Sequence, residues 1–160
     1  MSIKFQYKGN QYEVPLKPEK CNLCGGKVVY IPNSPRVYSS PHGSGFCYFC
    51  ENCGAYVGTH KPHPEEALGL LSDENMRKGK MMCHALFDPH WRNQKHRHAA
   101  RLALYRWLSE QMGIPSYACH FGYFDIHQLR DAYRLLRDSQ DVLQEIAKNS
   151  QSKGKRHASK

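Results

Sequence analysis

Cys21-Asn22-Leu23-Cys24-Gly25-Gly26 and Cys50-Glu51-Asn52-Cys53-Gly54 decide the fold of this chain. Each is a C-x2-C-G turn, and 25 residues lie between Cys24 and Cys50. Such a turn lets two thiolates converge on one ion. The glycine after it permits the bend that aims backbone N–H groups at sulfur. Two turns on adjacent hairpins close a tetrahedron of four thiolates, the donor set of a structural zinc site with Zn–S near 2.3 Å. Cys21, Cys24, Cys50 and Cys53 are therefore the metal-ligand candidates, and one structural Zn2+ is the expected cofactor. The competing reading, a redox dithiol, belongs to single C-x2-C motifs in a strand–helix–strand setting. Cys47 also stands three residues before Cys50 and offers an alternative second pair. The glycine after Cys53 favours Cys50 with Cys53 and leaves Cys47 as a buried thiol in a strand. Whether His60, beside the second turn, touches the metal is open at this level.

Working outward, residues 27–31 and 45–49 read as the ribbon strands, separated by a loop rich in Pro, Ser and Gly at 32–43. Alternating stretches around Gly9-Asn10 read as a further hairpin that Pro15 and Pro18 end. The segment His60-Lys61-Pro62-His63-Pro64 disfavours helix and sheet alike. Beyond it the periodicity becomes helical. Ser72-Asp73-Glu74 starts a helix, with a capping hydroxyl, that runs to about Phe87, and Asp88-Pro89 starts a new short helix or turn. Residues 97–112 carry apolar positions at three- and four-residue steps, with Leu102 and Tyr105 widening the buried face, and stop at Gly113. Asp125 and Gln128 form a capping box before Ile126, Leu129, Tyr133 and Leu136, and Val142, Leu143, Ile146 and Ala147 continue the pattern. The expected fold is α+β, an N-terminal zinc ribbon of small antiparallel β-structure followed by an α-helical domain. Its parts are a ribbon module at 1–60, a linker at 61–71, a basic helical domain at 72–148 and a disordered basic tail at 149–160.

Seven cysteines, an odd count with no secretory signal in Met1-Ser2-Ile3-Lys4-Phe5-Gln6, argue against a disulfide framework and for a cytoplasmic setting. No run of about 18 apolar residues is present, so no membrane association is expected. Cys83 and Cys119, alone among apolar neighbours, read as core.

The net charge of +9 favours an anionic partner. Residues 76–106 hold eight basic side chains against the single acid Asp88. Arg77, Lys78, Lys80, Arg92, Lys95, Arg97 and Arg101 are therefore the candidate nucleic-acid contacts, since clustered cations suffice for affinity to phosphate. Tyr30, Tyr38, Tyr48, Phe49 and Tyr56 can stack on bases, but a small ribbon needs most of them for its own core. His84 and Asp88, four residues apart, can share a helix face, the arrangement by which a carboxylate orients an imidazole. With His120 and Arg101 they are the catalytic candidates; the structural alternative is a capped turn with a packed histidine. Phosphate-cradling glycine loops, the G-x-S-x-G elbow and dinucleotide fingerprints are missing from the sequence.

The two knuckles with Cys53-Gly54-Ala55-Tyr56-Val57-Gly58-Thr59-His60, Leu68-Gly69, Arg77, His84-x-x-Phe87-Asp88-Pro89-x-Trp91, Arg101 with Tyr105-x-Trp107-Leu108, and His120-Phe121-Gly122-x-Phe124 together resemble a family of zinc-finger-containing proteins common in phages and prophages. The likeness covers residues 21–136. It implies a zinc ribbon fused to a helical domain and a viral or prophage origin, with no established reaction. Leu104, the extra Cys47 and the basic tail depart from the pattern.

The expected function is a noncatalytic zinc-binding protein that binds DNA or RNA, or a nucleic-acid-processing complex, through its basic helical part. The alternatives are an enzyme acting on nucleic acid or nucleotides and a phage inhibitor docking on a host protein.

Overall fold

The computed structural model describes the backbone of residues 1–158 and the side chains of residues 1–151. Among the described residues, two small antiparallel sheets precede four α-helices, an order that agrees with the α+β reading. Strands β1 (Ser2–Tyr7) and β2 (Asn10–Pro15) form a hairpin in which Tyr7 pairs with Asn10. Its tight turn is Lys8-Gly9, both with positive φ, one residue earlier than Gly9-Asn10 suggested. The ribbon sheet is β3 (Val28–Pro32), β4 (Phe46–Cys50) and β5 (Tyr56–Gly58), with β4 in the centre. Helices α1 (Glu74–Arg92), α2 (Arg97–Met112), α3 (Ile126–Asp138) and α4 (Gln140–Ala158) follow, with two short 3-10 turns at Ser116–Ala118 and Phe121–Tyr123.

The hydrophobic interior is split. Cys21, Val28, Tyr48, Cys50, Ala55, Val57, Ala67 and Leu71 close the ribbon. The larger cluster joins Phe87, Leu104, Leu108, Phe121, Leu136 and Leu143 of the helical part to Phe5, Tyr7 and Val14 of the first hairpin. That hairpin, grouped with the ribbon on sequence position, packs its apolar alternate face on the helices.

A seam at residues 66–72 joins the two clusters, where the prolines upstream suggested only a linker. Thr59 bridges Ala67, Tyr56 bridges Ser72, and the Ala67 N–H donates to the Leu16 carbonyl at 2.7 Å. The Leu70 N–H donates to the Gly122 carbonyl at 2.9 Å, so the ribbon side is tied to the turn before α3. Gly69 is required here, because a Cβ at that position would collide with the backbone of Gly122.

Three helix boundaries differ from expectation. Asp73, not the Ser72 hydroxyl, caps α1, its carboxylate accepting from the Met76 N–H at 2.8 Å. Helix α1 then runs unbroken through Pro89, whose fixed φ suits the helix and whose missing N–H would have bonded only the carbonyl of solvent-exposed Ala85. Asp88 does not cap a new helix because its oxygens are taken by His84 and Trp91 of the same helix. Ordered structure also extends into the stretch assigned to the tail. Ser150 is buried in α4, and the Gln151 side chain brackets the start of α2 by accepting from the His96 N–H and donating to the His96 carbonyl. The side chains of residues 152–160, the rest of that expected tail, lie outside those described.

Leu102 and Val142 face solvent, so the buried face of α2 is the narrower line Ala100, Leu104, Leu108, Met112. The stop at Gly113, in the left-handed conformation, and the Asp125/Gln128 capping box are as expected. No helix among the described residues is long and apolar enough to cross a membrane.

Candidate metal centre and its basic flank

The two knuckles are near copies in backbone geometry. In the first, the Cys21 N–H donates to the Gly26 carbonyl (2.8 Å) and the Gly25 N–H to the Cys21 carbonyl (2.9 Å). In the second, the Cys50 N–H donates to the Ala55 carbonyl (2.8 Å) and the Gly54 N–H to the Cys50 carbonyl (3.0 Å). Gly25 and Gly54 occupy the same left-handed position at φ 76 and 81. β3 and β4 carry the two turns to one end of the sheet.

There the sulfurs of Cys21, Cys24, Cys50 and Cys53 lie within 4.8 Å of one another. Cys24 and Cys50 are 3.5 Å apart and Cys21 and Cys53 3.7 Å. These separations are far beyond a disulfide, and they match the edge of about 3.8 Å that a tetrahedron with metal–sulfur bonds of about 2.3 Å requires. Backbone N–H groups of Leu23, Gly26 and Cys53 point at the sulfurs of Cys21, Cys24 and Cys50 at 3.3 to 3.4 Å. The Asn52 amide adds a donor to Cys24, and together with the Gly26 N–H it brings that thiol down to about 6. A Cβ at Gly26 would lie 2.7 Å from the Asn52 Cβ and 3.1 Å from two of the sulfurs, so that close approach needs glycine. The donor set fits one tetrahedral ion and leaves no open position for a substrate. The four cysteines are positioned to bind a metal ion.

The first knuckle is also anchored from behind. Asn22 donates to the Leu71 carbonyl at 3.0 Å and accepts from its N–H at 2.9 Å, so the metal site is tied to the seam. Cys47 lies on β4 outside the cluster, buried, with its thiol pushed up by that burial. Three residues along a strand put it on the opposite face from Cys50. His60 is likewise outside the four-sulfur group, and its N–H donates to the Glu66 carbonyl. Cys83 and Cys119 are buried in the helical core, each pushed up to about 12 by burial.

The helical candidates gather around an aromatic cluster. His84 Nδ1 and Asp88 Oδ2 are 3.0 Å apart, while Asp88 Oδ1 accepts from Trp91 Nε1 at 3.0 Å. The His84 ring meets the edge of Phe121 at 4.8 Å. The Arg101 guanidinium lies over Tyr105 and, at 5.8 Å, over Trp91. His120 sits against Tyr123 and Tyr105; desolvation, then the charges of Arg101 and His60, hold its imidazole below the ordinary value. The four are thus neighbours of one ring cluster, but only His84 and Asp88 bond each other directly.

The seven cations expected to meet phosphate do not share one surface. Arg77, Lys80 and Arg92 line a groove beside the ribbon loop, together with Tyr38, His42, His84 and Asp88. Lys78 faces another cleft, with Arg130, Arg134 and Arg137 of α3. Lys95 falls in the turn between α1 and α2, and Arg97 and Arg101 are on the exposed side of α2. Tyr38 and His42 were not singled out together from sequence, since their neighbours on α1 lie about forty residues on and no periodicity links them. Of the ribbon aromatics, Tyr48 is buried, Tyr30 stacks on Phe46, and Phe49 and Tyr56 lie under Arg36 and Arg77.

A family model described as a zinc-finger-containing domain matches residues 17–139, a span holding both knuckles and helices α1 to α3. No curated protein and no solved structure matches the chain.

Proposed function

The chain belongs to this family of zinc-finger-containing domains, and on that premise we propose that its ion is a structural Zn2+ and that its function is to bind DNA or RNA through its basic helical part. Four thiolates with N–H groups directed at them suit zinc, and a closed tetrahedron fastens a β unit too small to hold itself together. The observation that carries the nucleic-acid reading is charge left uncompensated. Among the described residues, Arg77, Lys78, Lys80, Lys95, Arg97 and Arg101 take part in none of the ion pairs. Cations without an acidic partner raise the local potential toward a polyanion. A host cell's cytoplasm is the proposed setting of this work, a reading supported by the resemblance of the joint motifs to phage and prophage proteins.

The test is a titration of labelled DNA and RNA with zinc-loaded protein. Affinity should fall steeply between about 50 and 200 mM salt. A salt-independent response, or no binding to either polymer, rejects the reading.

A second reading, an enzyme acting on nucleic acid or nucleotides, is supported by His84, whose Nδ1 faces a carboxylate already locked by Trp91. His84→Ala should then abolish turnover while the melting temperature stays put; a parallel fall in both points to packing.

A further inference from the structure

The groove between the ribbon loop and α1 holds about 910 Å3. Its outer wall is ordered by Asn33, which is buried. The Asn33 side chain donates to the His42 carbonyl at 2.7 Å and accepts from the His42 N–H at 3.2 Å, while the Asn33 backbone carbonyl accepts from the Tyr38 N–H at 2.8 Å. The His42 ring, exposed, leans on Tyr38 at 5.1 Å.

On the opposite side, Arg77 and Lys80 are one turn apart on α1. Both are held by Ser72: the Arg77 guanidinium donates to its carbonyl and the Lys80 ammonium to its hydroxyl, each at 2.7 Å. Arg77 also lies over the Tyr56 ring at 4.4 Å. Among the described residues neither cation has an ion-pair partner, and burial, with the neighbouring Arg77 charge, holds Lys80 below its ordinary value. Two like charges fixed side by side in a concave site are repulsive without an anion. Because they are immobilised beforehand, an anion that enters pays little ordering cost. Asp88, the acid of this groove, does not neutralise them: its oxygens accept from His84 and Trp91, with Arg92 a further 3.6 Å away.

We propose that this groove is a binding site for single-stranded nucleic acid, in which Arg77 and Lys80 hold a backbone phosphate and His42 with Tyr38 offers rings to an adjacent base. The proposal rests on the nucleic-acid reading above and narrows it to one place and one strand state. In a duplex the bases are paired and stacked on one another, so no base face is free to meet the Tyr38 and His42 rings. A flexible single strand can thread the groove, and stacking on rings is the sequence-tolerant mode of single-strand recognition.

The experiment uses the zinc-loaded full chain with fluorescein-labelled single-stranded DNA and RNA of roughly 12 nucleotides, within the usual range of site sizes, the matching duplex, and a polyglutamate peptide of equal charge. The single strands should bind about tenfold tighter than the duplex and the peptide. Lys80→Gln and Arg77→Gln should each weaken single-strand binding about tenfold and lower the log–log salt slope by about 0.7, whereas Lys148→Gln, at an exposed lysine of α4 outside the groove, changes little. Since Arg77→Gln can loosen the seam, Lys80→Gln is judged at unchanged zinc content and melting temperature. In the wild-type chain, bound oligonucleotide should also shield Lys80 from an amine-reactive reagent more than Lys148. If the duplex or the peptide binds better, or if Lys148→Gln weakens binding while Lys80→Gln does not, this site is wrong. In the duplex case and the Lys148 case the broader reading still stands. No binding of any nucleic acid at low salt overturns both.

Discussion

Cys50 and Cys47 sit three residues apart on one strand and meet opposite environments. Cys50 joins three other sulfurs, and Cys47 is packed in the sheet without them. Cys50→Ser should therefore remove the ion, and elemental analysis should return well under one metal equivalent per chain. Cys47→Ala should keep the full equivalent and lose only packing stability. A second residue-scale effect lies on the hairpin. Tyr7 donates to Asp131 Oδ2 at 2.5 Å and Lys8 at 2.9 Å, tying the first turn to α3. Burial pushes the Asp131 carboxyl up, but these two hydrogen bonds and the Lys8 charge outweigh it and hold it below the ordinary value. The folded chain thus keeps this carboxylate ionised to lower pH than the unfolded chain does. Its stabilisation is complete above the ordinary value of 3.8 and is lost as pH falls through the lowered folded value. In denaturant titrations Asp131→Asn should cost stability at pH 7, with the gap to wild type closing at acid pH.

At the scale of elements, α3 depends on the Asp125/Gln128 box, in which the Gln128 N–H donates to Asp125 at 2.9 Å and the Asp125 N–H to Gln128 at 2.8 Å. Asp125→Ala should cost about 1 kcal/mol, read as a shift in the denaturant midpoint with unchanged slope. This box was legible because both partners lie within four residues. The continuity of α1 was not. Asp88-Pro89 has the composition of a helix start, and only the positions of His84 and Trp91 on the same helix divert the Asp88 carboxylate from capping. Leu102 misleads for a related reason: its spacing suits a buried face, but whether a neighbour covers it is a property of the bundle.

For the molecule as a whole, the seam at residues 66–72 couples ribbon and bundle. Gly69→Val should force the Gly122 backbone away and lower the melting temperature while the metal remains bound, since the four cysteines lie elsewhere. Chelation should do the reverse. It should release the ribbon sheet, seen as loss of hydrogen-exchange protection in β3 to β5, while α2 and α4 stay protected by the separate larger core.

The paired knuckles, the capping box and the stop at Gly113 could be read from the chain alone, because each is set by residue types at fixed short spacing and by what glycine or a carboxylate can do locally. Tertiary structure alone decided that the first hairpin belongs to the helical core, that Gly69 crosses Gly122, and that Tyr38 and His42 face Arg77 and Lys80. Each of these brings together residues tens of positions apart, where burial and close approach, not local periodicity, choose the partner.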